Sequence, residues 1–265
     1  MFRISLKRLI FALIISAMVF ACSGEKKNSE KTEKAENGIN QLTLAEKKAG
    51  WKLLFDGKSF KGWRGLGMEG IPGRWYIKDG ELAKHASGEV KSQADGQPVE
   101  GGDLMTIDTY RDFEFAFEWK ISPAGNSGVK YNVSEELSTS RGPSHAALGW
   151  EYQVLDDNGH PDNLNPTHRA GSLYDMIEAT GKTLKPVGEW NTSKIVFVGN
   201  HGEHWLNGKK VVEFDLGTAH FDSLYAKSKY FKIPHFADRR SGHIVLQDHK
   251  DAVWYRNLRI RVVNP

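Results

Sequence analysis

The segment Phe113-Glu114-Phe115-Ala116-Phe117-Glu118-Trp119-Lys120 has an aromatic residue at every second position, with charged residues between most of them. Alternate side chains of a β-strand point to opposite faces of a sheet. The segment therefore predicts a strand with an apolar face against a core and a charged face toward water. A chain organised around such a strand is expected to be built from sheets.

Short strand-like runs continue from Trp51 to the end of the chain, separated by Gly, Asn and Asp. The Asn207-Gly208 pair is the strongest short signal for a β-hairpin, and Asp79-Gly80 is a similar one. Helical periodicity is absent at any useful length. One series of strands over residues 50–265 predicts an all-β fold, a single two-sheet antiparallel sandwich rather than two domains.

The amino-terminal residues resemble a bacterial export signal. Arg3, Lys7 and Arg8 precede the apolar run 9–20, which is too short to span a bilayer and ends close to Cys22, the only cysteine. The residues before Cys22 resemble a lipobox, so residues 1–22 are predicted to be a lipoprotein signal peptide with Cys22 as the lipidated residue. The alternative is an ordinary signal peptide that contains a cysteine. We expect an exported, lipid-anchored protein in the periplasm or at the outer membrane or cell surface of a bacterium.

Residues 23–49 are rich in Lys, Glu, Ser and Asn and poor in apolar residues, which predicts a flexible tether. Within it, Thr43 and Glu46 have capping-box spacing that could start one short helix. Residues 51–265 contain 27 Lys and Arg and 28 Asp and Glu, so this part is close to neutral and we expect no nucleic-acid partner. It has no cysteine, which excludes disulfides and thiolate metal sites there.

Two stretches, residues 134–149 and 156–190, interrupt the series of strands. Long loops without strands are uncommon in a compact domain unless they serve a function. Rigid sandwiches usually carry binding residues on such loops. We therefore expect these two loops to border a site.

The strand between the two loops carries the first candidates for that site. In Glu151-Tyr152-Gln153-Val154-Leu155 the period of two places Glu151 and Gln153 on one face, with Tyr152 and Val154 against the core. A carboxylate and an amide two residues apart can bind vicinal sugar hydroxyls, and the carboxylate can also move a proton. The alternative is a solvated strand face, which the flanking loops disfavour.

A second strand offers Gln247 and His249 on one face. A histidine at a strand end suits a general acid or base, since imidazole titrates near neutral pH. The alternative is a histidine at the rim of the core.

Aromatic residues stack on sugar faces but also fill sandwich cores. Trp75 and Trp119 lie on apolar faces and are assigned to the core. Trp150, beside Glu151 at the end of a loop, is the first candidate for stacking on a sugar ring, and Tyr174 is the second.

Several blocks of this sequence resemble, in the same order, the family of 3-keto-disaccharide hydrolases. That family is also described as 3-keto-glucoside lyases and 2-hydroxy-glucal hydratases, and was formerly a domain of unknown function. The blocks are Gly50-Trp51-Lys52-Leu53-Leu54-Phe55-Asp56-Gly57-Lys58-Ser59-Phe60-Lys61-Gly62-Trp63, Gly125-Asn126-Ser127-Gly128-Val129, Glu151-Tyr152-Gln153-Val154-Leu155-Asp156, Gly171-Ser172-Leu173-Tyr174-Asp175, Gly188-Glu189-Trp190-Asn191, His204-Trp205-Leu206-Asn207-Gly208 and Gly242-His243-Ile244-Val245-Leu246-Gln247-Asp248-His249. They cover essentially the whole chain after the tether. One departure is Lys250, where the family more often has Gly.

This resemblance implies a concanavalin A-like jelly-roll sandwich with a concave sugar-binding face, and saccharide substrates oxidised at C3. A ketone at C3 acidifies the hydrogen on C2, so a base can form an enolate and the glycosidic oxygen at C1 can leave by β-elimination. Water then adds to the resulting 2-hydroxy-3-keto-glucal. No redox cofactor is required for these steps, because the oxidation at C3 belongs to a partner glucoside 3-dehydrogenase.

The implied chemistry needs a base, a proton donor and a group that stabilises the enolate oxygen. We expect His249 or Glu151 to be base and acid, and Lys130 and Gln153 to polarise the oxyanion. Lys130 alternates with Val129 and Tyr131 and should face away from the core, although an ordinary edge lysine is the alternative. The sequence leaves open whether a divalent metal is bound, but no His-x-His or Glu-x-x-His spacing requires one.

The remaining candidates are expected to contact the substrate rather than to react with it. Arg141, His168 and Asp175 come from the two loops and are expected to hold the second sugar. Asn126 and Gln247 complete the substrate-binding set. His204 is ambiguous, because alternation with Leu206 places it on the buried side whereas the family motif singles it out.

Two other functions fit parts of the sequence. A retaining β-glucanase needs paired carboxylates and, on this fold, a laminarinase-type Glu-x-Asp-x-Glu strand. Glu114 and Glu118 lack the middle Asp, so this function ranks last. A non-catalytic sugar-binding lipoprotein would use the same polar face and is the main alternative.

Overall fold

The computed structural model describes residues 38–87, 101–140 and 146–263. Over these residues the chain forms two antiparallel sheets whose inner side chains share one large apolar core, which confirms the predicted two-sheet all-β fold. The strands are β1 (Lys52–Leu53), β2 (Trp63–Gly65), β3 (Trp75–Lys78), β4 (Glu81–Lys84), β5 (Leu104–Thr106), β6 (Tyr110–Arg111), β7 (Phe113–Ile121), β8 (Asn126–Val133), β9 (Trp150–Leu155), β10 (Asn191–Val198), β11 (His201–Leu206), β12 (Lys209–Asp215), β13 (Ser241–Leu246) and β14 (Val253–Val262).

One sheet has eight strands in the order β12-β11-β10-β7-β14-β4-β3, with β1 also paired to β14. The other has six strands in the order β2-β5-β13-β8-β9, with β6 also paired to β13. Connections within the described residues carry the short helices α1 (Leu44–Lys48), α2 (Glu135–Thr139) and α3 (Ala219–Tyr225), and 3-10 helices at Pro161–Leu164, Pro166–His168 and Lys229–Lys232.

Strand β7 alternates as its sequence predicts. Its aromatic side chains, from Phe113 to Trp119, are at most 2% exposed. On its outer face, Glu114 and Glu118 form ion pairs with Arg261 and Arg256 of β14. Burial of each aromatic ring contributes about 2 kcal/mol or more, so this strand anchors the core of the larger sheet.

Strands β8 and β9 are buried on both faces. Tyr131 and Tyr152 face the core between the sheets. On the other face, Lys130 and Glu151 are each only 3% exposed. The polar face of the smaller sheet is therefore covered.

Three connections supply that cover. The described parts of the first connection are residues 134–140, which carry α2, and residues 146–149. Residues 156–190 carry two 3-10 helices, and residues 216–240 carry α3 and the third 3-10 helix. The backbone N–H of Lys229 donates to Asp175 Oδ2 at 2.7 Å, which joins the last two connections. The first two were predicted to border the site, whereas the third was not.

A flexible tether was predicted for residues 23–49. This prediction does not hold for residues 38–49, because they pack on the sandwich. Asn40 is 6% exposed. It exchanges two hydrogen bonds with Asn257, at 2.6 and 2.8 Å, and its Nδ2 donates to the Gly80 carbonyl at 2.7 Å. The predicted capping box of Thr43 and Glu46 begins α1. Composition misled here because one fully hydrogen-bonded asparagine anchors an otherwise polar segment.

Residues 1–37 lie outside the described residues, and with them the predicted signal peptide, Cys22 and the first part of the predicted tether. No helix in the described part of the chain is long and apolar enough to cross a membrane.

Candidate active site

The covered face of β8 and β9 forms a small polar pocket together with the residues that follow β13. Lys130 of β8 lies directly opposite Glu151 of β9, and Gly128 lies opposite Gln153. The side chains that line the pocket are Asn126, Lys130, Glu151, Gln153, Asp162, Tyr174, Lys229, Gln247 and His249. The structure thus brings together seven residues that were predicted from separate parts of the sequence.

Glu151 is held among three neighbours at the floor of the pocket. Its Oε2 lies 3.8 Å from Lys130 Nζ and accepts a hydrogen bond from the Tyr230 hydroxyl at 3.3 Å. A Cβ on Gly128 would collide with Glu151 Oε1, so glycine at position 128 leaves room for the carboxylate in this orientation. Lys130 in turn donates to the Ala147 carbonyl at 3.2 Å. A carboxylate and an ammonium thus adjoin in a nearly water-free site, where their fields are little screened.

Amide groups form the wall beside this ion pair. Gln153 Nε2 donates to Asn126 Oδ1 at 3.2 Å. The buried Oε1 atoms of Gln153 and Gln247 have no hydrogen-bond partner within the described residues. Buried acceptors are normally satisfied, so these two oxygens suit the hydroxyl groups of a bound ligand.

His249 closes the pocket on the β13 side. Its Nδ1 lies 3.8 Å from Asp251 Oδ2, and its side chain is 15% exposed. Burial opposes ionisation of Asp251, but His249 and the backbone N–H of Asn126 together lower its pKa. The Asp251 carboxylate therefore stays charged beside the imidazole, although His249 Nδ1 has no hydrogen-bond partner within the described residues.

A buried ion pair between Lys84 and Asp248 lies behind this wall, at 2.5 Å. Burial lowers the pKa of Lys84 and raises the pKa of Asp248, and the attraction between them opposes both shifts. The Gly102 N–H donates to Asp248 Oδ2, and the Asp248 N–H donates to Asp103 Oδ1. These contacts fix the backbone between Gln247 and His249.

On the opposite side, His168 links two carboxylates of the 156–190 loop. Its Nδ1 lies 3.5 Å from Asp162 Oδ1, and its Nε2 lies 3.1 Å from Asp175 Oδ1. Burial opposes protonation of His168, yet the two carboxylates raise its pKa above the usual value. Burial likewise opposes ionisation of Asp175, but His168 and the Lys229 N–H lower its pKa. Of these three side chains, Asp162 lines the pocket, whereas the predicted sugar contacts His168 and Asp175 hold the loop in place.

Tyr174, the second candidate for stacking on a sugar ring, lines the pocket, and its ring already contacts two other side chains. The His168 ring stacks on it with centroids 4.2 Å apart. Lys229 Nζ lies 4.4 Å from its centroid. The His168 ring and the Lys229 ammonium thus both contact the Tyr174 ring, which lines the pocket.

Two further predictions are corrected by burial. Trp150 is 1% exposed and packs edge-on against Phe221 and Phe236 in the core, because alternation along β9 sends it away from Glu151. His204 is fully buried between the sheets, so it contacts no substrate. Arg141 lies outside the described residues.

The hydrogen bonds of His204 define its tautomer. Its Nδ1 lies 3.0 Å from the Gly171 carbonyl, which only accepts, so Nδ1 carries the proton. Nε2 then accepts from the Tyr131 hydroxyl at 2.9 Å. Burial lowers the pKa of His204 to about 4. This histidine is a neutral core residue.

Sequence reasoning missed Asp162, Lys229 and Tyr230. Asp162 lies in a loop that was expected to border the site, but no periodicity distinguished it. Lys229 and Tyr230 belong to a connection without a recognised motif. Their role follows from long-range packing, which local patterns do not encode.

His201, Glu203 and Glu213 form a group whose ligand atoms lie within 4.8 Å of one another. They belong to β11 and β12, in the other sheet from the pocket. Lys210 Nζ already contacts Glu203 and Glu213, at 3.1 and 2.6 Å. One ammonium therefore already pairs with both carboxylates, at a place in the other sheet from the pocket.

The fold and the pocket define a β-sandwich protein with a buried carboxylate and ammonium and a half-buried imidazole around a polar cavity, an arrangement suited to binding a small polar ligand. Residues 50–261 match the sequence profile of the 3-keto-alpha-glucoside-1,2-lyase-like domain. The chain belongs to this family.

A curated relative, the 3-keto-disaccharide hydrolase of Bacteroides thetaiotaomicron, is 33% identical over 286 aligned positions, which cover 95% of this chain and 96% of the relative. A solved structure from Parabacteroides distasonis, assigned as a glycosyl hydrolase, is 30% identical with a TM-score of 0.73 and covers 86% of this chain and 100% of its own. A second one from the same organism is 28% identical, with a TM-score of 0.60 and coverages of 80% and 99%. These relationships support an enzymatic, carbohydrate-directed role.

Proposed function

We propose that this protein cleaves 3-keto-glycosides by β-elimination in the pocket around Glu151. The base removes the hydrogen on C2, and the electron pair of that bond forms an enolate with the C3 ketone. The enolate then re-forms the ketone as the C1–oxygen bond breaks, which leaves a C1–C2 double bond. The departing glycosidic oxygen takes a proton, and addition of water to the 2-hydroxy-3-keto-glucal gives net hydrolysis. No electrons are exchanged with a cofactor in these steps.

The observation that carries this proposal is the adjacency of Glu151 and Lys130 on paired strands, at 3.8 Å, in a covered polar pocket. A carboxylate suits removal of the C2 proton. An ammonium beside it suits the charge that develops on the C3 oxygen, and excluded water strengthens that interaction. The unsatisfied amide oxygens of Gln153 and Gln247 suit the remaining sugar hydroxyls.

His249 is assigned the role of proton donor to the leaving oxygen, because its imidazole lies at the pocket wall, 3.8 Å from the Asp251 carboxylate. Substitution His249→Gln should therefore slow cleavage strongly when the aglycone is a second sugar. It should slow cleavage much less when the aglycone leaves without protonation, as 4-nitrophenolate does. Equal losses for both leaving groups would instead make His249 the base.

The decisive experiment incubates the purified protein with matched 3-keto and ordinary glycosides and follows 2-hydroxy-3-keto-glucal and free aglycone by mass spectrometry. Turnover of only the keto sugars supports the proposal. Binding without turnover, with and without added divalent metal ions, contradicts it and leaves a sugar-binding lipoprotein.

Two proposals concern the setting of this activity. The 3-keto substrate requires prior oxidation of a glycoside at C3, so a glucoside 3-dehydrogenase is the proposed functional partner. We also propose export and lipid attachment at Cys22 on the basis of the amino-terminal sequence. Cell fractionation tests the second proposal: the protein should move from the membrane fraction to the soluble fraction upon Cys22→Ala.

A further inference from the structure

Tyr230 contacts the candidate base from a part of the chain without a recognised motif. It lies in the 3-10 helix Lys229–Lys232 and is 5% exposed. Its ring stacks on Phe236, with centroids 4.3 Å apart and planes 11° apart. Its hydroxyl donates to Glu151 Oε2 at 3.3 Å. Packing of the ring therefore fixes the place from which the hydroxyl reaches the carboxylate.

The two oxygens of Glu151 lie in different surroundings. Oε2 lies between the Tyr230 hydroxyl and the Lys130 ammonium. Oε1 occupies the space above Gly128 that a side chain would fill. Gly128 is two residues from Lys130 on β8, so that space is on the pocket face of the strand. One oxygen is thus held by the protein, and the other lies on the side of the substrate.

The hydroxyl of Tyr230 is a permanent donor. Burial, and then the nearby charge of Glu151, raise the pKa of Tyr230 well above its usual value. The phenol therefore stays protonated across the range in which enzymes work. It holds the carboxylate without taking part in proton transfer.

We propose that Tyr230 is a positioning residue that holds Glu151 Oε2, so that Oε1 is the oxygen that receives the C2 proton. This inference rests on the proposed function. Its physical basis is that a base within reach of a carbon acid acts efficiently only when its lone pair is already aligned with the C–H bond.

The test compares Tyr230→Phe with a matched control in the full-length protein. Tyr230→Phe keeps the ring that stacks on Phe236 and removes only the hydroxyl. Tyr131→Phe also removes one buried hydroxyl, but its partner is His204 in the core. Steady-state kinetics with a 3-keto-glycoside, with hydrogen or deuterium at C2, then separate positioning from stability.

For Tyr230→Phe we expect kcat to fall about tenfold or more, KM to stay within about threefold, and the C2 isotope effect on kcat to increase, because proton removal becomes slower. For Tyr131→Phe we expect kcat within about twofold of the unsubstituted protein, despite a lower melting temperature. A kcat within twofold for Tyr230→Phe, or equal changes of kcat in both variants, overturns the proposal.

Failure of the proposed function would look different, because the unsubstituted protein would then turn over no keto-glycoside. The positioning claim is in that case judged by the crystal structure of Tyr230→Phe. A rotated Glu151 carboxylate supports the claim, and an unchanged orientation refutes it.

Discussion

At the scale of single residues, the site depends on charges placed where water is scarce. Glu151 and Lys130 are each 3% exposed, and each charge is stabilised there by the other and by its hydrogen bonds. The same burial that makes the pair costly makes its field strong at a reacting atom. The buried side chain of His204 avoids the cost of a buried charge in another way, since it remains uncharged.

Glu151→Gln should lower kcat on 3-keto-glycosides by a factor on the order of 100 or more, because the isosteric amide accepts no proton. Affinity for a non-cleavable analogue, measured by calorimetry, should stay within about tenfold. Glu118→Gln is the control, since Glu118 pairs with Arg256 on the outer face of the other sheet. Loss of affinity equal to the loss of kcat would assign Glu151 to binding alone.

His204 should make the protein sensitive to mild acid. Its pKa is about 4 in the fold against 6.5 ordinarily, so the unfolded chain binds the extra proton first as pH falls. The contribution of neutral His204 to the free energy of unfolding is therefore complete above pH 6.5 and decreases by about 3 kcal/mol as pH falls to 4. Urea unfolding should show this extra decrease in the unsubstituted protein and not in His204→Gln. His220→Gln, at an exposed position of α3, should retain it.

At the scale of elements, strands provide the floor of the pocket and loops provide its walls. The 156–190 loop supplies Asp162 and Tyr174, and His168 ties its two halves together. The 216–240 connection is fastened to it by the Lys229 N–H.

The wall should loosen as pH rises. The pKa of His168 is raised in the fold, so its stabilising contribution is complete below the ordinary value of 6.5 and is lost as pH rises through the folded value. Hydrogen exchange of residues 162–175, corrected for intrinsic rates, should accelerate from pH 5.5 to pH 8.5. His168→Gln should exchange rapidly at both pH values. His235→Gln, at an exposed histidine paired with Asp238, should behave as the unsubstituted protein does.

At the scale of the whole molecule, the first described residues brace the larger sheet. Asn40 bridges Asn257 of β14 and Gly80 of the β3–β4 turn. Glu46 forms an ion pair with Arg259 at 3.2 Å. The contacts with Asn257 and Arg259 join residues more than 200 positions apart, so the segment contributes to the stability of the sandwich.

A chain that starts at Gly50 should be less stable than one that starts at Gly38. Loss of the three Asn40 hydrogen bonds costs about 3 kcal/mol, which lowers the melting temperature by roughly 6–12 °C. Calorimetry on the two chains measures this difference, and Asn40→Ala in the longer chain should account for most of it. Identical melting temperatures would show that residues 38–49 do not stabilise the sandwich and act only as a tether.

Much of the fold and part of the site could be predicted from local patterns. Alternation identified β7 as a core strand and placed Glu151 and Gln153 on one face of β9. The hairpin at Asn207-Gly208 was also predicted, and the structure has it between β11 and β12. These features depend on residues one to three positions apart, which a sequence displays directly.

The sequence by itself thus determined the strands, the faces of their side chains and the family to which the blocks belong. Only the tertiary structure decided which faces are covered and which distant residues meet. It placed Trp150 in the core and brought Asp162, Lys229 and Tyr230 to the pocket. The physical reason is that strand periodicity is set by the local backbone, whereas burial and side-chain partners are set by the packing of elements far apart in the chain.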